Sequence, residues 1–340
     1  MKELTTKLAS IQNKLNSHLK FNLALQFDNS VHQSLDFLNS KKTHDNIMLN
    51  PYWPKWDGAW WHILALIEIG QYSLIPDKSI QLIQKSIHKN NLQYFPLTES
   101  ELPKNIDPYR NIICHCQLGT YIKILILTQK DFILPEWIKN WFIKYQIQDG
   151  GYNCDDESYH KKHPKSSLVS TLPMLESLLI LLQDTESFQD IKKNQMLKLL
   201  DKGAHYFLDR NLVCKSNSNT VINENWLKLG FPRFYELDSL RILSFLNKWA
   251  NYRDILLPID KISLVLESLC NQIEKDGTLK SGFHMTTVDN KSLIHQKDNT
   301  WKYLDATSFP LLDTLECPKV AANFLNREFL EFIQTFKFKS

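Results

Sequence analysis

The sequence predicts an all-α protein made of helical hairpins, one helix of each facing an interior and its partner facing solvent. Three observations predict it. Five segments have the composition of buried helices, beginning near Trp56, Ile112, Ser166, Phe234 and Tyr303. They recur at intervals of about 55 and then about 68 residues, within the tolerance of helical-hairpin repeats. Each is followed by a more charged segment with apolar residues at helical spacing, over roughly 77–90, 134–147, 192–209, 258–275 and 318–337. Finally, the connection Tyr145-Gln-Ile-Gln-Asp-Gly-Gly-Tyr152 has the chemistry of a tight joint between helices.

The elements follow in order. Leu4, Leu8, Ile11 and Leu15 form an apolar stripe, so residues 1–40 are expected to add a helix pair that buttresses the rest. The inner helices are expected over 56–69, 112–127, 166–182, 234–247 and 303–316, in hairpin repeats spanning 50–337 of a single domain. Before the joint, Pro135-Glu-Trp-Ile-Lys-Asn-Trp-Phe-Ile-Lys reads as an amphipathic helix with Trp137, Trp141 and Tyr145 on one face. Asp149-Gly150-Gly151 ends it, because glycines supply the positive φ angles that close a helix C-terminus. Tyr152 is placed to fold back against that turn.

Composition narrows the class. With 43% hydrophobic residues in 340, the chain has ample material for a large core. Nine glycines and 13 prolines are few for a β-rich or linker-rich protein. Basic and acidic residues, 40 and 37, alternate in mixed order, which leaves no basic block for nucleic acid. The longest apolar run, Leu172–Leu182, is broken by Pro173, Glu176 and Ser177 and is too short to be a transmembrane segment. The opening residues lack the apolar stretch of a signal peptide, so six cysteines read as reduced thiols. The expectation is a soluble, cytoplasmic protein.

Gln-x-x-Asp149-Gly-Gly-Tyr152, on alternating inner and outer helices, resembles the squalene cyclase and protein prenyltransferase superfamily, whose fold is the α/α toroid. Either Gln146 or Gln148 fills the Gln position, and Gln146 gives the usual spacing. Further blocks resemble a bacterial squalene-cyclase-like branch: Tyr52-Trp-Pro-Lys-Trp, Cys114-His-Cys-x-x-Gly119, Asp149-Gly-Gly-Tyr-Asn-Cys-Asp, Ser166-Ser-x-x-x-Thr-x-x-x-x-Glu176 and Tyr235-x-x-Asp238-x-x-Arg241. The resemblance covers about residues 50–316. It implies an α/α toroid of five to six hairpins with a central cavity for an apolar isoprenoid ligand, in a terpenoid-cyclase or prenyl-transfer reaction.

The chain departs from the family at the residues that carry chemistry. Hopene-type cyclases protonate their substrate with an Asp-x-Asp-Asp motif at an inner-helix mouth, where this chain has Lys165-Ser166-Ser167. Asn153-Cys-Asp-Asp156 keeps the last two acids. Asp155 and Asp156 are therefore the candidate catalytic acids, since crowded carboxylates raise one another's pKa; the plain alternative is a solvated pair that caps the turn. Asp238 is a third candidate, either a cavity acid or a structural partner of Arg241. The candidate substrate-binding residues are Trp56, Trp61, His62, His115, Ser167, Thr171 and Tyr235; aromatic faces stabilise cations, though aromatics also fill helix seams. Trp60, Trp137 and Trp141 fall on inter-helix faces, while Trp53, Trp301 and Tyr303 crowd the mouths.

Prenyltransferases bind zinc through an Asp-x-Cys pair and a distant His. Here Asp57-Gly58-Ala59 supplies the Asp without the Cys. Cys114, His115 and Cys116 at one inner helix, with Cys154 and Asp155 before the next, offer another donor set, and Cys116 and Cys154 are the candidate zinc ligands. Against this, successive helical residues diverge by about 100°, and buried cysteines also serve as small hydrophobes. Two other functional classes compete with the isoprenoid enzyme: a non-catalytic toroid binding a lipid-like ligand or protein partner, and a carbohydrate-active toroid enzyme. The cavity distinguishes them. It is expected at the end of the ring that holds the Asp149 turn.

Overall fold

A computed structural model describes residues 2–18, 28–90, 114–129, 134–155, 157–184, 190–216, 218–275, 277–282, 291–298 and 300–339. The helices are α1 (Lys2–His18), α2 (Asp28–Asn39), α3 (Lys41–Leu49), α4 (Ala59–Glu68), α5 (Asp77–Asn90), α6 (His115–Thr128) and α7 (Glu136–Tyr145). They continue with α8 (Glu157–His160), α9 (Leu168–Asp184), α10 (Asp190–Leu208), α11 (Ser239–Arg253), α12 (Ile259–Asn271), α13 (Pro310–Glu316) and α14 (Pro318–Thr335).

Their packing makes a closed ring. Helix α4 packs on α6, α6 on α9, α9 on α11, α11 on α14, α14 on α13, and α13 returns to α4. Helices α5, α7, α10 and α12 lie outside, each beside an inner helix or another outer one. This is an α/α toroid. Inner helices such as α4 are apolar all round, with every residue from Ala59 to Ile67 buried, which a helix tolerates only inside a second layer. The outer α5 has a single apolar stripe, from which Ile80, Ile83 and Ile87 are buried.

The N-terminal helices close the seam. Helix α1 packs on α14 through a stripe in which Leu8, Ile11 and Leu15 are buried, while α2 bridges α4 and α13. At the tightest inner contact, between α6 and α9, Gly119 lies against the backbone of Pro173. A Cβ at Gly119 would stand 2.4 Å from the Pro173 carbonyl, so glycine is what allows the close approach.

All five inner helices begin later than their sequence patterns suggest, the fourth and fifth by the most. The fourth starts at Ser239 because Asp238, extended, accepts the Arg241 N–H at 2.8 Å as its N-cap. The fifth starts only at Pro310, and the segment from Trp301 is a strand. Here β3 (Trp301–Asp305) pairs antiparallel with β2 (Lys291–His295), while β1 (Leu257–Pro258) and β4 (Phe338–Lys339) form a short parallel pair. Asp298 turns the hairpin by accepting the Thr300 N–H and hydroxyl. Pro310 disfavours helix in the residue before it and fits the first helical turn.

Gly119→Ala should lower the urea midpoint by an amount equivalent to about 1–3 kcal/mol, the usual range for overpacking a fitted contact. Gly282→Ala, where an added Cβ meets nothing within 4 Å, serves as the unaffected control.

Candidate functional site

The joint after α7 is built as its residue types require. Gln146 Nε2 donates to the Gly150 carbonyl at 2.8 Å and to Leu199 of α10 at 2.7 Å, which makes Gln146 the Gln of the motif. Gly150 has a φ of +103°, and a Cβ there would meet the Lys202 carbonyl. Asp149 accepts the Ser166 N–H and hydroxyl and pairs with Arg210 at 3.3 Å. Tyr152 folds back, its hydroxyl donating to the Phe142 carbonyl at 3.1 Å. Ser167 N–H donates to the Tyr152 carbonyl, and the Thr171 hydroxyl accepts the Tyr152 N–H at 2.9 Å. Ser167 and Thr171 thus fasten the joint to α9.

The other sequence-predicted residues are spread over the same end of the ring. Asp155 is exposed, accepts the Ser158 hydroxyl at 3.2 Å and caps the turn into α8. Asp156 lies outside the described residues. Trp56 and Trp61 are buried edge to face, with ring centroids 4.5 Å apart, against Phe234 and Tyr235. Lys55 sits among these faces: its Nζ is 5.2 Å from the Trp56 ring and 5.5 Å from the Tyr235 ring, and it donates to the Tyr235 hydroxyl at 3.3 Å. The aromatic faces that would stabilise a substrate cation hold the chain's own ammonium instead. His62 is stacked between Phe37 at 4.2 Å and Phe309 at 3.8 Å, in the seam where α2 meets the ring.

His115 and its neighbouring cysteines separate. Nδ1 of His115 donates to the Asn153 carbonyl at 2.6 Å and Nε2 accepts the Trp141 indole N–H at 3.0 Å, so both ring nitrogens are engaged. Cys114 is not helical: it is the extended N-cap of α6, which frees its side chain from the helical period. It therefore converges with Cys116, Sγ to Sγ 2.8 Å, and Cys154 joins them at 3.4 and 3.8 Å. Hydrogen bonds from Cys114 and Cys116 pull the Cys154 thiol well below its ordinary range, while hydrogen bonds to the other two and burial push Cys116 well above it.

A partly open cavity of about 370 Å³ lies among the ring helices. None of the residues expected to line it does so. Its wall comes from the second half of α4, the middle of α6, α9 and α11, the segment before α11, and α14. The interior carries a network of buried ion pairs. Arg241 is bidentate on Glu176 at 2.7 and 2.8 Å and donates to the Phe234 and Glu236 carbonyls. Arg233 pairs with Asp238 at 3.2 Å and with Glu328, and the Glu68 carboxylate accepts the N–H groups of Arg233 and Phe234. Asp238 is committed within this network. Its ionic partner is Arg233, whereas Arg241 supplies a backbone N–H.

Ionisation follows from the pairing. Burial pushes the Glu176 carboxyl up, but the Arg241 guanidinium overrides it and brings the pKa down to about 2. Glu328 is lowered in the same way by Arg233, against the opposing effect of burial. Lys123 makes no ion pair among the described residues, and burial lowers its pKa, partly offset by Glu176. Lys123 and Glu176 had a sequence signal, a charge inside an apolar inner helix; Lys55, Arg233 and Glu328 had none.

No protein-family model matches the chain, and no curated protein matches its sequence. Among solved structures it is similar to a polysaccharide lyase, with a TM-score of 0.45, 10% identity and 97% of both chains covered. It is also similar to a glycosyl hydrolase of family 88 from Bacteroides vulgatus, with a TM-score of 0.43, 10% identity and coverage of 98% of this chain and 99% of that one. A third is the type II terpene cyclase MstE from Scytonema, with a TM-score of 0.39, 9% identity and coverage of 97% and 100%. Among the described residues, no helix is long and apolar enough to cross a membrane.

Two pH dependences follow. Burial lowers the pKa of His62, despite Asp57 nearby, so the unfolded chain binds the proton more tightly. The urea midpoint should fall as pH drops below about 6.5, and His62→Phe should flatten that slope. The depressed pKa of Glu176 contributes stability present above about 4.5 and lost as pH falls toward 2, roughly 3 kcal/mol in all. Glu176→Gln should remove this part of the acid limb. At neutral pH it should cost about 3–5 kcal/mol by leaving Arg241 unpaired, and the double variant Glu176→Leu/Arg241→Met should cost less.

Proposed function

We propose that the ring cavity binds a small, polar, anionic molecule of sugar size, which places this toroid with the polar-substrate reading and not with the apolar isoprenoid. The observation that carries it is the wall. Nine of its 19 residues are ionisable, and among the described residues the cations Lys123, Lys248 and Arg327 make no ion pair, against the two acids Glu68 and Glu331. Fixed cations lining a concave wall attract a carboxylate or phosphate and lose strength with salt. Phe231 and Phe324, stacked at 4.4 Å, and Phe245 add apolar faces of the kind that cover a sugar ring.

An isoprenoid gains about 0.8 kcal/mol per buried methylene only against apolar wall, and here it would strip water from charges without replacing it. Arg241 and Arg233 hold Glu176 and Glu328 ionised, which takes these two carboxylates out of the acid role that cyclisation needs. Lys123, whose pKa burial lowers, is the wall group best suited to exchange a proton with a bound ligand.

Calorimetric titration with glucuronate, citrate and inorganic phosphate tests this, with farnesol as the apolar comparison. Saturable binding of at least one anion, weakening with salt and at least tenfold weaker in Lys123→Met at unchanged or higher melting temperature, is expected. Saturable binding of farnesol with no response to any anion would sink the proposal.

A further inference from the structure

We propose that Cys114, Cys116 and Cys154 bind one zinc ion as thiolates at the N-terminal end of α6, independently of the charged cavity. Three sulfurs from two segments lie 2.8, 3.4 and 3.8 Å apart; a tetrahedral zinc with bonds of about 2.3 Å sets edges of about 3.8 Å, so the Cys154–Cys116 edge fits and Cys114 would move outward by up to about 1 Å. The convergence is built. Cys114 leaves the helical period as N-cap, and Cys116 stands in the first turn. Cys154 is held against α9 by its N–H, which donates to the Ser170 hydroxyl at 3.1 Å.

His115, between the two cysteines in sequence, lies beside Cys154, but both its ring nitrogens are committed to Asn153 and Trp141. Among the described residues, no fourth His, Asp or Glu atom joins the cluster. The fourth position therefore falls to water or a bound molecule, the arrangement of a zinc that can act on a ligand. Soft thiolates select zinc over magnesium, calcium or manganese. The donor set differs from an Asp-x-Cys and His site, because it uses three sulfurs and no imidazole.

The test uses the full chain, purified reduced from zinc-supplemented medium. Elemental analysis should find about one zinc per chain. Cobalt titration of the chelator-stripped protein should give thiolate charge-transfer bands in the near ultraviolet and the visible bands of a tetrahedral ion. Cys116→Ser and Cys154→Ser should each lose stoichiometric zinc, and Cys317→Ser should keep it. If those variants fail to fold, the unsubstituted chain still decides: zinc should shield Cys114, Cys116 and Cys154 from alkylation and leave the exposed Cys317 reactive. Metal-free reduced protein with no cobalt charge transfer would overturn the site. So would an intact mass short by a pair of hydrogens, which would mark a disulfide among the three thiols.

Discussion

Arg241 holds the ring together from inside. Its guanidinium spans α11 and α9 through Glu176, and its remaining N–H reaches back to the segment that leads into α11. That segment carries Arg233, which reaches α14 through Glu328, while its backbone N–H groups rest on Glu68 at the end of α4. Four ring helices thus meet through one stretch of chain near Arg233. A guanidinium tolerates such a position only if its donors are met in a fixed fork geometry, which ties the helix spacing to the pairing. Apolar packing would hold the helices together as well, but it would not demand one spacing so strictly. Hydrophobic residues of similar volume often match or exceed the stability of such a pair, so what the pairing contributes is spacing more than net free energy.

Much of the fold was legible because its signals are local. The outer helix expected at 77–90 starts where α5 starts, at Asp77, since its apolar stripe is read from neighbouring residues. The Gln146 joint was legible for the same reason: a helix, a turn requiring positive φ and a plugging aromatic lie within eight residues. The strand from Trp301 was misread because Trp-Lys-Tyr-Leu-Asp fits a short helix turn as well as a strand, and only the pairing with Lys291–His295 decides between them.

The site was less legible, because its partners are distant in sequence. Glu176 visibly interrupts an apolar run, yet its counter-ion is 65 residues away. The local pairing of Asp238 with Arg241 is only an N-cap, and the charge that neutralises Asp238 comes from Arg233. The thiol cluster shows the opposite case. Helical divergence argued against Cys114 and Cys116 sharing an ion, and that holds for two residues inside a helix. It fails where the first residue is the cap, a distinction of one position that helix-boundary reading from sequence does not reach.

The two ends of the ring differ in what they leave free. At the mouth beside the Asp149 joint, the side chains expected to meet a substrate are engaged: Ser167 and Thr171 hold Tyr152, His115 holds Asn153, and Lys55 fills the aromatic cluster. Groups already saturated by the fold have little left to offer a substrate, because a new contact must replace one of comparable strength. The cavity end is different. There the pairs Arg241–Glu176 and Arg233–Glu328 are satisfied, while Lys123 stands beside them half-buried and without an ion pair among the described residues. An unpaired ammonium at that depth destabilises the empty protein and gains most when an anion arrives, so the cost carried by the free chain becomes differential affinity for the bound state.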